Sequence, residues 1–184
     1  SGSIANAKLA NSSITLNGSA VSLGGSATTP QGVAEADIWR VTANLSGDQT
    51  PISSSWERAD TDSQNYIGTG MTESSGVFTF PSTGIYLVTF YASVINGSAS
   101  DYLIALYISA TTNGSSFNNS AVSYTSVDRS NAYNNGTVSL LFDVTNTSTH
   151  KVQFKAENML SGTDLEGNTS QNETYATFIK LGDT

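Results

Sequence analysis

The 184-residue chain is 38% hydrophobic and only 12% charged, carries a formal net charge of −8 and has no cysteine. Its length suffices for one sizeable core and an appendage. The acidity and the lack of any Lys/Arg cluster exclude nucleic acid and anionic membranes as partners, and the missing cysteine excludes a disulfide framework and thiolate chemistry.

The leader is repetitive. Residues 12–18 read SSITLNG and residues 19–25 read SAVSLGG; Ser26 and Ala27 begin a third copy that decays into Thr28-Thr29-Pro30. The unit is seven residues long, but its apolar positions alternate (Ile14/Leu16, Val21/Leu23) and its glycines fall at the unit ends. Short strands and tight turns follow from that pattern, and a coiled coil does not. A ribbon with two anchors per unit cannot bury enough to hold itself. Three copies wound on one axis would share those anchors, so residues 1–33 are expected to form a trimeric β-repeat stem, with a Gly/Ser linker as the alternative. Residues 5–10 have weak helical propensity over too short a stretch to stand alone.

The body begins near Ala34. Residues 38–45 (IWRVTANL) place Trp39, Val41, Ala43 and Leu45 on one face and predict a strand. Residues 46–65 form a long polar connection with one short strand expected at 52–56. Residues 77–80 and 85–95 predict two strands joined by a tight Pro81-Ser82-Thr83-Gly84 turn. Residues 102–109 (YLIALYIS) predict a strand apolar on both sides, 110–119 a loop, 121–127 a weakly alternating strand and 128–135 a turn region ending in Asn135-Gly136. Strands are expected at 137–144, at 150–158 with Val152, Phe154 and Ala156 inward, and at 174–181, the last two separated by a polar loop at 161–172. No window shows a convincing amphipathic helix, and no apolar run approaches the ~18–20 residues of a spanning helix. No signal-peptide pattern of basic start, apolar run and cleavage site is visible. Short strands at regular spacing with turn residues between them give an all-β sandwich or jelly roll.

The strand at 85–94 carries the strongest signal. Ile85, Leu87 and Tyr91 point one way, and Tyr86, Val88, Phe90, Ala92 and Val94 point the other. In an antiparallel sheet one face normally meets the core and the other meets water. A strand apolar on both faces needs a second partner, and another copy of the chain is the economical one. Tyr86, Val88, Phe90 and, from the closing strand, Phe178 are the candidate contacts between copies. Leaving such a side chain exposed forgoes about 1.5–3 kcal/mol.

Phe78-Thr79-Phe80-Pro81-Ser82-Thr83-Gly84-Ile85-Tyr86 resembles the F-x-x-P-x-x-G-x-Y strand–turn–strand of the C1q/TNF-like jelly-roll family. Phe90-Tyr91-Ala92, the closing stretch Tyr175-Ala176-Thr177-Phe178-Ile179-Lys180-Leu181 and Trp39 fit the same pattern. The resemblance spans residues 34–184 and implies a sandwich that associates as a compact homotrimer through one sheet. The chain departs from the family in lacking the hairpin cysteines, the collagen-like Gly-X-Y repeats and any acidic set that maps onto a calcium site. The leader, residues 4–25, resembles a segment of tail-fibre-type virion proteins of bacteriophages. That resemblance implies a place on a virion, extracellular in use, with the stem meeting other virion proteins.

Catalytic chemistry finds little footing. His150 is the one histidine and is expected to face solvent, which leaves no multi-histidine metal site and no cysteine–histidine pair. The pairs Asp60/Asp62 and Asp164/Glu166 suit a glycosidase or a shared Ca²⁺, but solvated acidic loops explain them more simply. No enzyme activity, cofactor or metal is expected. The loops are rich in Asn, Ser, Thr and Gly and carry single aromatics at Trp56, Tyr66, Phe117, Tyr124 and Tyr133, the make-up of a recognition surface. The sequence therefore reads as a homotrimeric phage fibre or knob whose head binds host surface polysaccharide or protein. A structural virion protein without a receptor of its own is the alternative.

Overall fold

The structure, a computed structural model, describes residues 5, 8, 11–16, 18–27, 32–97 and 100–184. The chain divides into two compact units, Ser1–Ala34 and Glu35–Thr184. In the first, β1 (Ser13–Leu16) and β2 (Ser19–Ser22) pair antiparallel, with Ile14 opposite Val21. Gly18, at φ +80°, makes the reversal, a conformation that side chains with a Cβ resist. Alternation within the repeat thus yields a hairpin. The decaying third copy at 28–30 and most of the helix-prone residues 5–10 lie outside the described residues.

The second unit is built from twelve strands: β3 (Ala36–Val41), β4 (Leu45–Ser46), β5 (Trp56–Arg58), β6 (Thr72–Ser74), β7 (Val77–Thr79), β8 (Gly84–Asn96), β9 (Asp101–Thr111), β10 (Asn118–Val127), β11 (Ala132–Val144), β12 (Lys151–Glu157), β13 (Thr163–Leu165) and β14 (Tyr175–Gly182). A five-stranded sheet runs β10-β9-β12-β7-β6. A seven-stranded sheet runs β4-β13-β8-β14-β3-β5, with β11 along the other edge of β8. All pairings are antiparallel. Long β8 organises its sheet: β11 follows it from Gly84 to Asn96, while β14 takes its other edge from Ile85 to Tyr91 and β13 continues that edge from Val94 to Asn96.

Between the sheets lies an aromatic core. Phe78 and Phe154 are its twin hubs, and the Phe78 ring meets Trp39, Trp56, Phe154 and Phe178 at centroid distances of 5.7, 5.2, 5.3 and 5.2 Å, mostly edge-on. Phe90 stacks on Phe154 at 5.0 Å, and Phe80 joins Tyr86 to Phe142. The Pro-Ser-Thr-Gly turn has a steric reason to end in glycine. Gly84 sits at φ +144°, and a Cβ there would come within 2.3 Å of Lys180 Cε and 2.6 Å of the Gly182 carbonyl oxygen.

Three expectations shift. The strand expected over 38–45 breaks after Val41 and resumes as the two-residue β4, because the backbone at Thr42 turns to bond Ser55. The polar loop at 161–172 contributes β13 to the large sheet. Asn135-Gly136 is mid-strand, opposite Ser93 and Ala92. A Cβ at Gly136 would lie 2.6 Å from Leu106 Cδ1 and 3.5 Å from Thr125 Cβ, so the glycine serves close approach of the two sheets. Side chains close the same seam: Thr125 Oγ1 donates to the Asn135 carbonyl at 3.1 Å, and Asn134 Nδ2 to the Ser126 carbonyl at 2.6 Å.

Candidate functional site

Each sheet has an outer face, and the two differ in kind. On the seven-stranded sheet the registers of β11, β8, β14 and β3 set side chains in rows. One row is Leu141–Leu87–Ile179–Ala36, the next Ser139–Thr89–Thr177–Ile38, the next Thr137–Tyr91–Tyr175–Arg40, with Ile85 beyond the first. Leu141 is 64% exposed, and Ile85, Leu87, Tyr91, Tyr175 and Ile179 are half-buried. The rings of Tyr91 and Tyr175 stack at 5.1 Å, and Thr89 and Ser139 share a hydroxyl hydrogen bond of 3.0 Å. Arg40 ends the third row fully buried, its Nε donating to Glu57 Oε1 at 2.8 Å, Nη1 to Thr61 Oγ1 at 2.8 Å and Nη2 to Asp60 Oδ1 at 2.9 Å. No formal charge stands in the first two rows. An uncharged patch of aliphatics and hydroxyls is the kind of surface on which proteins meet one another.

This corrects the choice of contact residues. Tyr86, Val88, Phe90 and Phe178 are 1%, 0%, 0% and 1% exposed and sit inside the sandwich. The physical reason is size: of the two apolar faces of β8, the one with the larger rings fills the space against Phe78 and Phe154. The apolar face of β8 left looking outward is the opposite one, carried by Ile85, Leu87 and Tyr91.

On the five-stranded sheet the outer rows are Val122–Tyr107–Lys155, Tyr124–Ala105–Glu157 and Asn119–Ser109–Gln153. Here aromatic, amide and charged groups alternate with small ones. Lys155 Nζ lies 3.1 Å from Asn119 Oδ1 and 3.8 Å from Glu157 Oε1, and Ser109 Oγ donates to Asn119 Oδ1 at 2.7 Å.

The structure scatters the loop aromatics. Trp56 belongs to the core, its Nε1 donating to the Ile52 carbonyl at 2.9 Å, and is removed from the recognition set. Long connections need an anchor, and this indole supplies it. Tyr66 lies over the Arg58 guanidinium at 4.4 Å, and Arg58 is itself held by Asp37. Phe117 is half-buried beside the Asn113 turn, where Asn113 Oδ1 accepts from the backbone of Ser115 and Ser116. Tyr124 is on the outer face of the five-stranded sheet, and Tyr133 opens β11 on the outer face of the other. No two of the five share a ring contact among the described residues. Tyr107 was missed in the sequence, because it lies inside a strand that is apolar on both sides and reads as core.

Two solved structures share this arrangement of strands. The crystal structure of murine APRIL at pH 8.5 superposes with a TM-score of 0.57 at 15% identity, covering 80% of this chain and 98% of that one. The Eiger TNF from S. frugiperda superposes with a TM-score of 0.58 at 15% identity, covering 81% of this chain and 93% of that one. The fold is a TNF-like jelly roll. No protein-family model matches the sequence, and no curated protein matches it.

Elsewhere in the jelly roll, His150 departs from expectation. It is buried against Phe142, with Nε2 3.1 Å from Thr145 Oγ1 and Nδ1 3.1 Å from Thr149 Oγ1. Both ring nitrogens are occupied by threonine hydroxyls, so the imidazole is a strut. Of the acidic pairs, Asp60 is bound to Arg40. Asp164 and Glu166 join Glu173 near the far end of β8, where Glu166 N bonds the Ser93 carbonyl. Among the described residues no group of three such side chains is placed to hold a metal ion.

Glu166 titrates abnormally. Burial pushes its carboxyl up, the charges of Glu173 and Asp164 push the same way, and a hydrogen bond with Asn44 opposes them. With the folded value above the unfolded one, the folded chain holds this proton more tightly, so its contribution to stability is present at low pH and lost as pH rises through the carboxylate range. Glu166→Gln should therefore melt with the wild type near pH 4 and pull ahead by about a degree or two as pH rises toward 7. Thermal melts at both pH values check this. A wild type that gains on the variant with rising pH removes the electrostatic cause.

Proposed function

We propose that the chain is the homotrimeric head of a phage fibre or knob, and that it attaches the virion to polysaccharide or protein on the host surface. One observation supports the assembly above all: the uncharged rows Leu141–Leu87–Ile179–Ala36 and Ser139–Thr89–Thr177–Ile38, with Tyr91 and Tyr175 beside them, on the outer face of a sheet whose inner face is already packed. Covering each half-exposed aliphatic there returns about 1–2 kcal/mol. A closed ring of copies covers the patch in every subunit and leaves no sticky end, whereas an open arrangement would build fibres. The resemblance of residues 34–184 to C1q/TNF-like domains points to three copies, and the tail-fibre-like leader points to the virion.

Three identical heads convert weak single contacts into useful avidity, which is the reason to trimerise an attachment protein. The deciding experiment applies the fluorescently labelled purified chain to host cells and to non-host cells. Saturable binding to hosts alone supports attachment. No binding to any susceptible host, from a chain with three times the 19.2 kDa mass, overturns it.

A further inference from the structure

We propose that the outer face of the five-stranded sheet is a platform for a neutral saccharide, gripped by Tyr124, Tyr107, Asn119 and Glu157. The inference deepens the attachment reading and rests on it for its purpose, while its chemistry stands on this face alone.

The cross-strand rows shape the surface. Tyr124 and Glu157 flank Ala105, and Asn119 and Gln153 flank Ser109; the two small residues on β9 are fully covered by these neighbours, and Tyr124 stands out above them. Tyr124 is 61% exposed and offers a ring face on which the C–H face of a pyranose can lie. The polar groups suit hydroxyls, which both donate and accept. Asn119 Oδ1 is engaged by Ser109 Oγ at 2.7 Å and Lys155 Nζ at 3.1 Å, which orients the amide and leaves its Nδ2 donors without a partner among the described residues. Glu157 supplies acceptors. Tyr107 brings its hydroxyl against Tyr124 and Glu157, where a hydrogen bond with Tyr124 braces the exposed ring.

Charge decides among ligand classes. Lys155 and Glu157 lie 3.8 Å apart and cancel locally, on a chain whose net charge is −8. A polyanion meets no positive field here and is repelled at longer range, and a polycation finds no excess carboxylate on the patch. A protein partner favours a charge-depleted centre, which the other sheet has and this one lacks. A neutral sugar with many hydroxyls is the ligand that matches what remains.

The test uses the full chain on a printed array of neutral oligosaccharides, with sulfated and sialylated ones beside them. The expected result is signal on neutral glycans, insensitive to salt, weakened at least about tenfold by Tyr124→Ala and measurably by Tyr107→Phe, with solution mass unchanged. Absence of signal on every neutral glycan, signal on the anionic ones alone, or full retention by Tyr124→Ala each overturns the platform. Host cells separate the two readings. Equal cell binding by wild type and Tyr124→Ala sinks the platform and keeps attachment. Neutral-glycan binding that Tyr124→Ala abolishes, without any cell binding, keeps the platform and sinks attachment.

Discussion

Leu141→Arg should turn a particle of three times 19.2 kDa into a folded single chain. The residue is 64% exposed in the lone subunit, so arginine there strains nothing within the sandwich, and the melting profile of the monomer should show a cooperative fold. In the assembly the same substitution places a charge in a row of Leu87 and Ile179, once for every copy. An unpaired charge taken out of water costs several kcal/mol, and symmetry repeats the cost at each interface. Sedimentation or light scattering reads the outcome. A wild type of single-subunit mass at high concentration, or an arginine variant that keeps the threefold mass, shows that this face is not where copies meet. Tyr86→Ala gives the contrast: its ring is inside the core, so it should lower stability without acting on assembly directly.

Phe78→Ala should cost about 3–5 kcal/mol, a large loss for a single truncation. Its ring touches Trp39, Trp56, Phe154 and Phe178, which come from both sheets, so its removal leaves a cavity walled by stiff rings that cannot close in. For a unit of about 150 residues that loss lowers the melting point by about 10–15 °C. Calorimetry in the presence of the Leu141→Arg change isolates the core effect from assembly. A drop of only a degree or two would mean that the surrounding rings repack into the space.

The sequence made the sandwich legible because its strands alternate and its turns carry the residues that turns require. The stretch from Phe78 to Tyr86 told the most, with a proline to set the turn and a glycine whose Cβ would strike Gly182. What could not be read was which face of β8 looks inward. Alternation shows that two faces are apolar, but the choice between them depends on the volume offered by Phe78 and Phe154, residues distant in sequence. For the same reason Asn135-Gly136 reads as a turn: the pair is a strong local signal, and only the approach of Leu106 from the other sheet explains a glycine in mid-strand. Trp56 looked like a loop anchor for ligand and is an anchor for the loop itself. The proposed platform was half visible. Tyr124 stood out among polar neighbours, while Tyr107 and Lys155 join it only through the pairing of β9 with both β10 and β12.

The seam between β10 and β11 limits which edges of the sandwich a neighbouring chain can extend. Side chains of Thr125 and Asn134 stitch across it, and Gly136 draws the two layers tight there. Part of that flank is thereby denied to a visiting strand, the usual route by which β-proteins zip into ribbons. Copies of the chain at high concentration therefore meet a closed edge there.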